Sequence, residues 1–110
     1  MSLSQHQSST ELANTFSALG DNRRLAIVER LKETDTMSIT SLCEGVDVSR
    51  QAISKHLKVL ADAKIVSTEK AGRETLYKLE PARLEEANDY LVHVGAKWEL
   101  ALQRLKSRLE

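Results

Sequence analysis

Ser38-Ile-Thr-Ser-Leu-Cys-Glu-Gly-Val-Asp-Val-Ser-Arg-Gln-Ala-Ile-Ser-Lys-His-Leu-Lys-Val-Leu-Ala-Asp-Ala63 is the stretch that decides the fold of this chain. Its punctuation is that of two helices joined by a tight turn. Ser38 stands where an N-cap belongs, before a short helix carrying Ile39 and Leu42, and Gly45 permits the left-handed exit such a helix needs. Val46, Asp47 and Val48 make the turn, and Ser49 caps the second helix. On a wheel of about 100° per residue, Arg50, Gln51, Ser54, Lys55 and Lys58 share one side of that helix. Ala52, Ile53, Leu57, Val59, Leu60 and Ala63 take the other. Three cations with two neutral hydrogen-bonding groups, and only Asp62 as an acid at the far end, form a set able to read base edges and grip phosphates. The stretch therefore predicts a helix-turn-helix over 38–63 with a recognition face from Arg50 to Lys58.

A polar helix face rich in lysine is most often only a solvated face. The grammar before it and the hairpin after it favour the more specific reading. Ile65 and Val66 begin a strand that continues to Lys70, Ala71-Gly72-Arg73 makes a turn, and Glu74 to Leu79 returns with Thr75, Tyr77 and Leu79 on one face. Leu76 does not fit that alternation. A hairpin over 65–79 with Lys70 and Arg73 near its tip, directly after a recognition helix, reads as a two-stranded wing. Its strand residues read as cover for the core, and only its tip is assigned to DNA.

Charge supports the same surface. The chain has 16 Lys/Arg and 16 Asp/Glu, which argues against indiscriminate nucleic-acid binding. Residues 1–47 carry four Lys/Arg against seven Asp/Glu, residues 48–80 seven against four, and residues 81–110 five of each. The positive excess thus sits on the helix-turn-helix and hairpin, where a DNA surface would lie. No apolar run reaches the length of a membrane span, and the polar start from Met1 to Ser9 has no hydrophobic signal core. The single cysteine, Cys43, cannot form an internal disulfide and suits a reducing cytoplasm. At 110 residues the chain is expected to form one domain with a modest core, a size that favours oligomerisation.

The flanking segments read as helices. Ser8-x-x-Glu11 has the form of a capping box for a first helix over 8–20, with Leu12, Phe16 and Leu19 at helical spacing and Gly20 at its end. Asp21 caps a second helix, Asn22 to about Glu33, with an apolar stripe of Leu25, Val28 and Leu31 that Ile27 widens. Pro81 opens a last helix over 82–109 with a seam of Leu84, Ala87, Leu91, Val94, Trp98, Leu102, Leu105 and Leu109. At 1.5 Å per residue that helix is roughly 40 Å long, more than a small core can cover. Its surplus apolar surface calls for a second copy of the chain. Gly95 within it, costing on the order of 1 kcal/mol relative to alanine, marks a kink or a close helix–helix approach.

With these elements in order, the chain resembles the ArsR/SmtB family of winged-helix bacterial repressors. The resemblance is carried by Phe16-Ser-Ala-Leu-Gly-Asp-Asn-Arg-Arg-Leu25, Ser54-Lys-His-Leu-Lys-Val-Leu60, Ala63-Lys-Ile-Val66 and Gly72-Arg-Glu-Thr-Leu-Tyr77, spanning residues 16–79. It implies a mainly α (α+β) fold and a homodimer built from the first and last helices. It also implies repression through binding of an imperfect inverted repeat in a promoter. The family's metal sites do not carry over. Where metal-sensing members have Cys-x-Cys, this chain has Ser38-Ile39-Thr40, and Cys43 stands alone a turn later. A tight thiolate site needs several soft ligands. Asp89 and His93 lie one turn apart on the last helix and read as a surface hydrogen bond or dimer contact. No metal or other cofactor is expected, and the resemblance names no effector ligand.

Ser49, Arg50, Gln51, Ser54, Lys55, His56, Lys58, Lys70 and Arg73 are accordingly the candidate DNA-binding residues. His56 has two readings. The wheel places it among the apolar residues as a ring packed on the core, whereas the resemblance puts the Ser-x-His-Leu block close to phosphates. Leu12, Phe16, Leu84, Leu91, Val94, Trp98, Leu102 and Leu105 are the candidate dimer interface. The expected partners are double-stranded promoter DNA and a second copy of the chain, with no membrane. A winged-helix module that binds another protein without DNA is the alternative, disfavoured by the cations of the recognition face and wing tip. Enzymatic activity is not expected. There is no glycine-rich phosphate loop and no nucleophile–base pair, and His6, His56 and His93 are scattered.

Overall fold

The computed structural model describes residues 2–109, with side chains described from Thr10 onward. In chain order it comprises α1 (Ser2–Leu19), α2 (Asn22–Lys32), β1 (Met37–Ser38), α3 (Ile39–Cys43), α4 (Arg50–Asp62), β2 (Val66–Ala71), β3 (Glu74–Leu79) and α5 (Pro81–Leu109). The helix-turn-helix is α3 and α4, the wing is β2 and β3, and α5 extends the molecule to 60 Å along its longest axis. Among the described residues, no helix is long and apolar enough to cross a membrane.

Each helix boundary in the central region has a chemical cause. The Ser38 hydroxyl accepts the Ser41 N–H at 3.2 Å to start α3, and Gly45, at φ +71°, turns the chain out of it. The Ser49 hydroxyl accepts the Ala52 N–H at 3.1 Å to start α4. At the other end of α4 the Lys64 N–H donates to the Ala61 carbonyl and the Ile65 N–H to the Leu60 carbonyl, both at 3.0 Å. This is a Schellman closure, with Ile65 and Leu60 both fully buried. Lys64 carries the left-handed residue of that motif, at φ +66°, where glycine would be unstrained.

The core is Ala18 from α1, Ile27 and Leu31 from α2, Leu42 from α3, Ile53, Leu57 and Leu60 from α4, and Ile65 and Val66 leading into the wing. Fully burying a side chain of this kind contributes about 1.5–3 kcal/mol. The stripe expected on α2 holds at Ile27 and Leu31, which are buried, and at Val28, which packs against the core, but Leu25 is exposed. The inward stripe is Arg24, Ile27 and Leu31 at i, i+3 and i+7. An arginine at its first position shifted the hydrophobic pattern by one residue. Val59 is likewise exposed, at the rim of a groove it forms with Asn14, Ser17 and Ala18 of α1.

Two further expectations are corrected. The first helix begins at Ser2 rather than Ser8, since no glycine or proline interrupts residues 2–8. The proposed Ser8 cap and His6 involve side chains outside the described residues. The wing is not an isolated pair of strands: β1 adds to it in the order β1-β3-β2, with Met37 opposite Tyr77 and Ser38 opposite Leu76. The third strand, too short to show any alternation, accounts for Leu76. β3 is a central strand, and Thr75 to Leu79 are all half-buried. The wing turn is Gly72-Arg73, flanked by the pair Ala71 and Glu74. Gly72, at φ +67°, occupies the first central position of the two-residue loop, as a type II′ turn requires. α5 runs through Gly95 without a break, and a Cβ built there meets nothing within 4 Å.

Asp21 is the N-cap of α2, accepting the N–H groups of Arg23 at 2.8 Å and Arg24 at 3.1 Å. The Arg24 N–H bond is the main influence holding its carboxyl below the usual range; partial desolvation opposes it, and the Arg23 N–H and the charges of Arg24 and His56 add to it. A carboxylate depressed in the folded state contributes stability above its unfolded value of roughly 4 and loses that contribution as pH falls through the folded value. Asp21→Ala is therefore expected to melt at lower temperature than the native chain at pH 7. The gap should narrow progressively below about pH 4 in a series of thermal melts, and a gap independent of pH would contradict the capping role.

Candidate nucleic-acid interface

The two faces of α4 are separated by burial. Ile53, Leu57 and Leu60 are buried, while Arg50, Gln51, Ser54, Lys55 and Lys58 are exposed. The residues between them divide according to local demands. Ser49 is exposed, but its hydroxyl is occupied in capping. Lys58 pairs with Asp62 one turn on, Nζ to Oδ2 at 3.3 Å, with both side chains largely solvated. Such a pair is worth a few tenths of a kcal/mol and leaves the lysine available to another anion.

Arg50 reaches back toward α3, its Nη1 lying 3.4 Å from the Thr40 hydroxyl. It lines an open cleft of about 230 Å³ together with Ser38, Ile39 and Thr40 on one side and Arg73, Glu74, Thr75 and Tyr77 of the wing on the other. The wing tip and the start of the recognition helix therefore share one concavity carrying two guanidinium groups, three hydroxyl-bearing side chains of Ser and Thr, a tyrosine and one opposing carboxylate. Lys70 is exposed on β2 opposite Thr75, one residue before the Ala71–Glu74 pair that closes the hairpin. Arg50 and Arg73 are thus brought together, and Lys70 lies on the same hairpin. Thr40, Thr75 and Tyr77 also line the cleft and were not among the candidate DNA residues, because the alternation of Thr75 and Tyr77 reads as strand cover for the core and Thr40 carries no periodic signal.

His56 is placed differently from its neighbours. Its side chain is 19% exposed and turned toward the start of α2, with Nδ1 3.3 Å from Arg24 Nη1 and 4.0 Å from Asp21 Oδ1. The Arg24 guanidinium also donates through Nε to the Ala18 carbonyl and through Nη2 to the Ser17 carbonyl at 3.4 Å.

A second arginine holds the other helix of the motif. A five-residue helix has too few internal bonds to stand alone. Arg30 of α2 donates from Nη1 to the Leu42 carbonyl at 2.8 Å and the Glu44 carbonyl at 3.4 Å, and from Nη2 to the Ser41 carbonyl at 2.9 Å. These carbonyls gather at the end of α3, where the Ser41 carbonyl also accepts the Glu44 N–H at 3.2 Å, and a cation there complements the helix dipole. Cys43 beside them is half-buried against the core. Among the described residues there is no group of three or more His, Cys, Asp and Glu side chains arranged to hold a metal ion. Asp89 and His93 are both exposed, with no hydrogen bond or ion pair joining them.

The remaining candidate surface lies on α5. Arg83 ties its start to α1, with Nη1 3.0 Å from Glu11 Oε2 and 2.9 Å from Glu86 Oε1, and the rings of Phe16 and Tyr90 meet at 5.9 Å. Leu12 and Phe16 border a groove with Tyr90, and Leu84 packs on the core of its own chain. Beyond them the helix is bare: Leu91, Trp98, Leu102 and Leu105 are between 50% and 62% exposed, and only Val94 among the seam residues is half-covered.

Comparison with known proteins agrees with this architecture. A family model described as a helix-turn-helix domain matches residues 19–69. The chain is 42% identical to the HTH-type transcriptional regulator Rv2034 of Mycobacterium tuberculosis over 63% of this chain, and it spans only 64% of that relative's length. It is 34% identical to the arsenical resistance operon repressor of Bacillus subtilis, covering 69% of this chain and 70% of that protein. Among solved structures, an ArsR-like transcriptional regulator from a Rhodococcus species superposes with a TM-score of 0.77 at 36% identity, over 94% of this chain and 97% of that one.

Replacing Arg30 by methionine keeps the aliphatic stem and removes all the bonds to the end of α3. Urea denaturation is expected to show a loss of about 1.5–3 kcal/mol, the range for hydrogen bonds made by a charged group. A variant as stable as the native chain would show that α3 needs no external cap.

Proposed function

The chain belongs to the ArsR family of helix-turn-helix transcriptional regulators, and we propose that it acts there as a homodimeric repressor binding an inverted-repeat operator in double-stranded DNA. The observation that carries this reading is the shared cleft of Arg50 and Arg73. It couples the start of α4 to the wing tip, so that one continuous duplex meets both elements.

In this reading Gln51 and Ser54, exposed on the first turns of α4, address base edges in a major groove. Ser49 marks the edge of that face. Lys55, Lys58 and Lys70 act as point charges on phosphates, and Arg73 reaches a phosphate or the negative potential of a narrow minor groove. Leu12, Phe16, Leu91, Val94, Trp98, Leu102 and Leu105 meet their counterparts in a second copy. Exposed apolar surface of this extent along one helix side is what a partner would cover. The repressor is not a thiolate metal sensor, a reading supported by the side chains at hand: Ser38 and Thr40 are hard, neutral donors, and Cys43 faces the core.

Reading and gripping separate experimentally. With an operator selected from a random duplex pool, Gln51→Ala is expected to lose about 1–3 kcal/mol on the operator and little on random DNA. Lys58→Ala is expected to weaken both DNAs alike and to reduce the slope of log affinity against log salt by about one. A salt titration of both variants on both duplexes measures this. Equal losses for Gln51→Ala on operator and random DNA would remove α4 as the reader.

A further inference from the structure

The Arg24–His56 contact joins two parts of the molecule with different tasks. α1 is braced against α5 by the Glu11–Arg83 ion pair and the Phe16–Tyr90 ring contact, so the end of α1 belongs to the same rigid frame as the exposed α5 seam. α4 carries the polar face turned toward solvent. Arg24 sits between them. Its Nε and Nη2 donate to the last carbonyls of α1, those of Ala18 and Ser17, and its Nη1 lies 3.3 Å from His56 Nδ1 in the middle of α4. The guanidinium is planar and its donors are set in a fixed fork, so the three contacts are geometrically linked. With Nη1 donating to Nδ1, the ring proton of a neutral His56 is on Nε2.

The wheel position of His56 explains why its ring is available for this contact. Ser54, Lys55 and Lys58 face outward, whereas His56 shares the inward side with Ile53 and Leu60 and is only 19% exposed. The apolar neighbours hold α4 against the core and set which face points outward, but they are non-directional and leave small rotations of the helix unspecified. A directional polar contact near the helix midpoint supplies the missing constraint. Reading an operator from two half-sites about one helical turn apart depends on such orientation, because base-edge bonds tolerate little displacement and phosphate contacts tolerate more.

We propose that Arg24 and His56 are positioning residues for sequence reading: the bridge from the Ser17 and Ala18 carbonyls through Arg24 to His56 fixes the rotation of the recognition helix relative to α1. It does so without His56 touching the DNA. This deepens the proposed function and rests on it. The bridge contributes to the ratio of specific to non-specific affinity, and the phosphate-gripping lysines contribute to both affinities.

The test compares native protein with His56→Phe, which fills the space without accepting a bond, and His56→Gln, whose amide oxygen can accept one. It adds Arg24→Lys, which keeps the charge but cannot span three partners, and the Arg24→Lys, His56→Phe double variant. Circular dichroism and melting temperature confirm folding before titration on the selected operator and on random duplex. His56→Phe and Arg24→Lys are each expected to lower operator affinity about tenfold with random-duplex affinity within about twofold, and the double variant to lose little more than either, as residues acting through one contact do. His56→Gln is expected to stay within about threefold of native, the rescue that a hydrogen-bond acceptor supplies. Should any one variant fail to fold, the other substitution at the bridge carries the same comparison. Parallel losses on operator and random DNA, fully additive losses in the double variant, or unchanged affinity throughout would each overturn the proposal. A native protein that enriches no duplex from the random pool overturns the DNA reading itself, an outcome visible before any variant is measured.

Discussion

Ile53, Leu57 and Leu60 place one side of α4 in the core, and the rest of the arrangement depends on that burial. Three leucine- or isoleucine-sized side chains contribute on the order of 5–8 kcal/mol toward holding the helix in place, comparable to the whole stability of a small domain. With these positions fixed, 3.6-residue geometry leaves Arg50, Gln51, Ser54, Lys55 and Lys58 no direction but outward. The wing inherits its position from the same anchor, because Ile65 follows α4 through the Schellman closure and enters the core beside Leu60. The cleft between Arg50 and Arg73 results from holding both elements to one core.

Polar contacts supply the orientation that apolar packing leaves soft. α2 contributes most of them. Asp21 starts its own helix, Arg30 closes α3, and Arg24 reaches from the end of α1 to α4. One eleven-residue helix thereby connects the frame at α1 and α5 with both helices of the helix-turn-helix. The arginines are suited to this because a guanidinium can serve several carbonyls at once and remains charged at any relevant pH.

Features decided by local chemistry were legible in the sequence. Ser38, Asp21 and Ser49 are caps because their oxygens reach N–H groups two or three residues away, and Gly45 and Gly72 take positive φ where turns need it. The buried side of α4 was legible from its period at Ile53, Leu57 and Leu60, although Val59 at the edge of that stripe is exposed. Features decided by distant partners were not. β1 exists only because β3 is alongside, and Leu25 is exposed because Arg24 occupies the inward face of that turn. The α3 cap comes from Arg30, eleven to fourteen residues away in sequence. The candidate DNA residues were named from their helix face, but the approach of Arg50 to the wing and the inward turn of His56 required the fold. The resemblance blocks at residues 16–25 and 54–60 gave no hint that Arg24 and His56 meet.

An outward-facing recognition helix and an α5 with more apolar surface than its own chain covers are the two surfaces the proposed homodimer would use. Gly95 has open space where a side chain would stand, on a helix whose neighbours Leu91 and Trp98 are more than half exposed. A second chain approaching there would bring two copies of α4 onto one side of a duplex. Hydroxyl-radical footprinting of the native protein on an operator selected from random duplexes tests this most directly. A dimer with two outward copies of α4 is expected to give two protected windows of equal strength on one face of the DNA, with centres about one helical turn or a small multiple of it apart. A single protected window at saturation would contradict it.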